Sequence, residues 1–102
     1  MFKSIYKKIR EDFAFLSDYG YHVKYEIDSS VHPAVTFTNG SAKIQIGYAH
    51  DDGQMFLYRY APIDTIYPDN ILRGTYLEGK SYKDQVEQAK EILRKFLDNQ
   101  IR

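Results

Sequence analysis

Val35-Thr36-Phe37-Thr38-Asn39-Gly40-Ser41-Ala42-Lys43-Ile44-Gln45-Ile46 is the stretch on which the fold turns. Val35 and Phe37 alternate with threonines before Asn39-Gly40, and Ala42, Ile44, Ile46 and Tyr48 recur at every second position after it. Side chains of a pleated strand point alternately to its two faces, so this period marks two strands with one apolar face each. Asn-Gly tolerates the positive φ of a type I′ turn, which predicts a hairpin. A two-residue loop there pairs Phe37 with Ala42 and Val35 with Ile44, apolar against apolar.

Upstream, Tyr21, Val23, Tyr25 and Ile27 alternate with His22, Lys24, Glu26 and Asp28, which predicts a strand with the first set inward. Asp28-Ser29-Ser30 and His32-Pro33 mark the turn that follows. Before it, Phe2, Ile5, Tyr6, Ile9, Phe13 and Leu16 make one helical stripe, predicting a helix from Phe2 to Tyr19 that Gly20 ends. Downstream, His50-Asp51-Asp52-Gly53 reads as a turn and Gln54 to Tyr60 as a fourth strand. Residues 61–80 are irregular, with a short helical turn expected from Asp69 to Leu72. Ser81 then caps a last helix whose stripe is Tyr82, Val86, Ala89, Leu93 and Phe96, supported by Ile92, Leu97 and Ile101. The expected architecture is a single α+β domain over 1–102. It is a four-stranded antiparallel β-meander flanked by N- and C-terminal helices, both packed on one sheet face.

Composition narrows the function. Fourteen basic and fourteen acidic side chains cancel, which argues against nucleic acid as a partner, since that needs a basic face. No cysteine is present, so disulfides and thiolate sites are excluded, and the expected compartment is the cytoplasm. The start of the chain lacks the apolar core of a signal peptide, and no stretch approaches the ~20 apolar residues of a membrane span. Neighbouring side chains on a tight turn diverge, so His50-Asp51-Asp52 is read as turn chemistry rather than a metal site. Ser29, Ser30 and His32 lack a nucleophile elbow and oxyanion donors, and Glu26 with Asp28 lacks a cleft. The chain is read as non-enzymatic, with no cofactor.

The fourth strand breaks the pattern, because Phe56, Tyr58 and Tyr60 stand on one side and Met55, Leu57 and Arg59 on the other. Such a strand is either covered twice or offers one face to a partner. Aromatics, methionine and arginine are enriched in interface cores, so Tyr58, Arg59, Tyr60 and Tyr67 are the expected binding residues, then Met55 and Leu57. The alternative is a small-ligand or metal site under the 61–80 loop, with His22 or His50 involved. A third reading is a homodimer through a strand edge or the outer sheet face.

Phe15-Leu16 with Tyr19-Gly20-Tyr21, Val35-Thr36-Phe37-Thr38-Asn39, Ile44-Gln45-Ile46-Gly47-Tyr48 and Tyr67-Pro68-Asp69-Asn70-Ile71-Leu72 resemble a loose group of small bacterial proteins. That group is uncharacterised and built helix–four strands–helix, and some of its members resemble immunity proteins encoded beside secreted toxins. The resemblance implies a cytoplasmic protein that acts by binding another protein. Many immunity proteins are acidic, complementing a basic nuclease toxin, and this chain is neutral, which argues against a nuclease and leaves open a partner matched by shape and hydrophobicity.

Overall fold

The computed structural model describes the backbone of residues 2–77 and 79–101 and the side chains of residues 5–77 and 79–100. Of the apolar stripe positions, the Phe2 and Ile101 side chains lie outside these. The elements are α1 (Phe2–Asp12), a 3-10 segment (Ala14–Tyr19), β1 (His22–Ile27), β2 (Ala34–Thr38), β3 (Lys43–Ala49), β4 (Gln54–Tyr60), β5 (Asp69–Asn70) and α2 (Tyr82–Ile101). The strands form one antiparallel sheet in the order β1-β2-β3-β4-β5. The sheet therefore has five strands rather than four. Asp69-Asn70, expected as a helical turn, pairs instead with Arg59 and Tyr58.

The first helix is shorter than its periodicity suggests. Phe13 leaves the helical region at φ −108°, ψ 19°, and the chain continues as a 3-10 segment to Tyr19. Residues three apart eclipse one another in a 3-10 turn. Phe13 and Leu16 are accordingly both fully buried. Gly20 ends the segment at φ 82°, where its N–H bonds to the Ser17 carbonyl at 3.0 Å, as expected of a glycine cap.

The central hairpin forms, but one residue later. Asn39 N–H donates to the Ala42 carbonyl at 3.2 Å, so the loop residues are Gly40 and Ser41. Only Gly40 has positive φ, at 93°, which is the type II′ pattern. Asn39 stays outside the turn, and its Oδ1 accepts the N–H groups of Ser41 and Ala42 at 2.9 and 2.8 Å. The register becomes Phe37 with Ile44 and Val35 with Ile46. This differs from the expected pairing by two residues, so every side chain keeps its face.

β1 departs further. A bulge between Val23 and Tyr25 inserts Lys24, after which Tyr25 stands opposite Thr36 and Glu26 opposite Val35. Residues opposite one another share a face, so Tyr25 and Ile27 turn to the outer side, contrary to expectation, and Glu26 turns inward. There Glu26 meets Arg10 of α1 in an ion pair. The Tyr6 hydroxyl donates to the Ile27 carbonyl at 3.0 Å and ties α1 to the end of the same strand. One buried cluster joins Ile9 and Leu16 with Val35, Ile44, Ile46 and Leu57 and with Val86, Leu93 and Leu97 of α2. Ser81 caps α2, its Oγ accepting the Asp84 N–H at 3.1 Å.

Candidate functional site

The register sorts β4 into two faces. Leu57 stands in line with Ile46 and Val35, while Tyr58 stands in line with Gln45 and Thr36. Met55 and Leu57 are 4% and 0% exposed, both within the buried cluster. They are core residues, which corrects their expected place in a binding surface. Arg59 lies on the same side, next to Ile44 in register, and its guanidinium sits 5.4 Å from the centre of the Phe96 ring of α2. It therefore covers the rim of the core, not the outer face. Its Nε is buried without a hydrogen-bond partner among the described residues.

Phe56, Tyr58 and Tyr60 all point to the outer face and stay half-buried. Phe56 and Tyr58 rings are 5.9 Å apart at 41°, and Lys43 Nζ lies 4.5 Å from the centre of the Tyr60 ring. Gly47, opposite Phe56, has a structural reason to be glycine. A Cβ there would stand 2.2 Å from Phe56 Cζ and 2.5 Å from the Pro33 carbonyl oxygen. Thr36, in the next row, has 0% exposure although it belongs to the outer face, so neighbouring side chains close over it.

The free edge of β4 is closed by two devices. β5 pairs with its far half, and the Ile71 N–H donates to the Leu57 carbonyl at 3.1 Å. At the near half, the buried Gln85 side chain accepts the Met55 N–H at 2.8 Å and donates to the carbonyls of Gly53 and Lys80 at 2.8 and 3.0 Å. An edge strand with satisfied backbone groups resists pairing with other chains. Gln85 has a legible signal: it stands three residues after Tyr82 and four before Ala89, a polar residue on the apolar stripe.

Between these devices the 61–77 segment is held by its backbone. Ile63 N–H reaches the Ser41 carbonyl at 2.9 Å, and Thr65 N–H the Pro62 carbonyl at 3.0 Å. Asn70 Oδ1 accepts the Leu72 N–H at 3.2 Å. Yet Ile66, Tyr67 and Tyr76 are 78%, 83% and 71% exposed. Of the expected binding residues, Tyr58 and Tyr60 thus share the outer sheet face and Tyr67 stands out on the connected loop.

Residues 70–77 also form the far wall of a cleft of about 580 Å³ beside β4. Met55, Leu72 and Leu77 supply its apolar lining, Phe56 and Tyr58 its aromatic lining. His32, Asp52, Gln54, Asn70, Arg73 and Thr75 supply the polar lining. The histidine of this cleft is His32, not the expected His22 or His50; its Nε2 lies 3.0 Å from Asp51 Oδ1. His22 stands opposite Thr38 on the outer face, and the His50 ring packs 5.2 Å from Tyr48. Ser29 Oγ accepts the His32 N–H at 2.9 Å, a turn-closing role. Among the described residues no three His, Cys, Asp or Glu gather as metal ligands.

Two ionisable groups elsewhere are displaced from their ordinary range. Burial pushes the Tyr82 phenol well up, with Asp12 as a secondary cause, and burial raises the Asp12 carboxyl. Both sit on the helix side, away from the cleft lining. No helix is long and apolar enough to cross a membrane among the described residues. Neither a family model, nor a curated protein, nor a solved structure matches the chain.

Proposed function

We propose that this chain is a non-enzymatic protein-binding module of the immunity or inhibitor type that its resemblance implies, acting in the cytoplasm. In this reading both helices sit behind the sheet, and the partner meets Tyr58 and Tyr60 on the outer face together with Tyr67 on the loop. One observation carries it: Ile66 and Tyr67 are exposed on a segment whose backbone is tied down at Ile63, Thr65 and Ile71. Exposed apolar side chains on a fixed backbone lose little entropy on binding, which is how preorganised surfaces gain affinity. Aromatic residues at such positions are the usual anchors of an interface.

The test compares captures from the native cell using the wild-type chain and a Tyr58→Ala/Tyr67→Ser variant, both held at a temperature where melts show each fully folded. A protein retained in stoichiometric amount by the wild type and lost from the variant supports the module. Retention of the same protein by both means that these residues are not the interface.

A second reading, a small-ligand protein, is favoured by the cleft alone. Its volume falls within the ~300–1,000 Å³ of small-molecule sites, and its lining sets polar groups beside apolar and aromatic ones.

A further inference from the structure

We propose that the cleft beside β4 binds a planar aromatic anion, its ring against Phe56 and Tyr58 and its carboxylate or phosphate on Arg73. This rests on the second reading above and commits it to a ligand class.

The ring half of the site is preformed. Phe56 occupies the space that a Cβ on Gly47 would need, and the His32 ring meets it edge-on at 6.3 Å and 77°. Tyr58 continues the wall at 5.9 Å, tilted by 41°. Two rings set at an angle offer both a face and an edge, the arrangement that favours offset or edge-to-face contact with a third ring.

The head-group half is rich in donors. Asn70 spends its carbonyl oxygen on the Leu72 N–H, which leaves its amide NH₂ for a ligand. Arg73 is exposed and has no carboxylate partner among the described residues. Its turn is held by the bonds Arg73 N–H to Asn70 O at 3.1 Å and Thr75 N–H to Leu72 O at 2.9 Å. A guanidinium with adjacent amide and hydroxyl donors matches a planar or tetrahedral oxyanion. Against it the described lining sets one carboxylate, Asp52 on the β3–β4 turn.

The experiment is a titration of the ¹⁵N-labelled chain, following the amides of Phe56, Tyr58, Arg73 and Thr75. Probes are 4-hydroxyphenylacetate and phenyl phosphate, acetate and inorganic phosphate as heads without a ring, and benzyl alcohol as a ring without a head. The proposal expects saturable shifts at these amides with the two ring anions, at concentrations well below those needed for the other three. Arg73→Gln is expected to weaken that binding about ten-fold while the rest of the spectrum stays in place. Equal affinity for benzyl alcohol, or no effect of Arg73→Gln, overturns the anionic class and leaves an apolar ligand site. No saturable shift at the cleft with any probe overturns the proposal, and the small-ligand reading then stands or falls by whether any member of a metabolite screen shifts the same amides.

Discussion

The two faces of β4 carry side chains of similar size and opposite fate. Met55 and Leu57 are buried under α2, while Phe56, Tyr58 and Tyr60 stay half-exposed on the other side of the same strand. Hydrophobicity along the strand does not separate them. What separates them is that α2 packs against β4 on the Met55 and Leu57 side, while the phenol oxygens of Tyr58 and Tyr60 accept a wet environment at little cost. The lesson is that an apolar residue is stabilising where another layer meets it and available for recognition where none does. Arg59 lies on the covered side, its guanidinium 5.4 Å from the centre of the Phe96 ring.

The largest expected break in this comparison comes from truncating each face in turn. Leu57→Ala should cost about 2–5 kcal/mol in a urea melt, as expected for a cavity in a full core. Tyr58→Ala should cost about 1 kcal/mol. Equal costs would mean that the outer face is as much core as the inner one.

Gln85→Leu tests the edge latch that keeps the two faces distinct. It strips the Met55 N–H and two carbonyls of their partner. The expected loss is about 1–3 kcal/mol, with faster hydrogen exchange at the Met55 amide. Unchanged exchange there would show that another group closes the edge.

Gly47→Ala reaches the outer face from beneath. With its Cβ 2.5 Å from the Pro33 carbonyl as well as 2.2 Å from Phe56, the added methyl meets backbone that cannot swing away. A cost of about 1–3 kcal/mol follows, and adding Phe56→Leu should relieve only part of it. Full relief would locate the whole clash in the ring.

Tyr67→Ser should stay within about 0.5 kcal/mol of wild type in the same melt, because its side chain contributes nothing to the core. A larger loss would make the loop aromatic a packing residue and remove it from the binding surface.

The smallest effect concerns pH. Burial raises the Tyr82 phenol above its ordinary 10.0 in the folded state. The native chain thus resists losing that proton, so the associated stability is complete below pH 10 and is lost as pH rises beyond it. Tyr82→Phe should flatten the alkaline limb of the stability curve and leave neutral stability nearly unchanged, since the hydroxyl has no hydrogen-bond partner among the described residues. An identical alkaline limb in the variant would assign the loss to other groups.

Much of the fold was legible from local pattern, and its failures are local too. The hairpin turn moved from Asn39-Gly40 to Gly40-Ser41, because Asn39 serves the turn better as an acceptor than within it. The bulge at Lys24 leaves no trace in a strand that alternates without interruption. β5 is two polar residues with no strand propensity, made a strand by pairing with its neighbour β4. Tyr58, Tyr60 and Tyr67 stand where solvent reaches them, whereas Met55 and Leu57 are core and Arg59 lies on their side, since period two names two faces without saying which is covered. The irregular 61–80 stretch pointed to a site under that loop with His22 or His50, but the histidine at the cleft is His32. The other walls come from β4 and from residues 70–77, which only the fold brings together.

By itself the sequence determined the helices, the four long strands, the central hairpin and the fact that β4 is apolar on both sides. These follow from propensity, turn chemistry and periodicity, which act over a few neighbouring residues. Only the tertiary structure decided which face of β4 is covered by α2, where the bulge turns Tyr25 and Ile27 outward, and that Gln85 closes the edge. Each of those depends on which distant segments meet. Burial is a property of that meeting rather than of any residue alone.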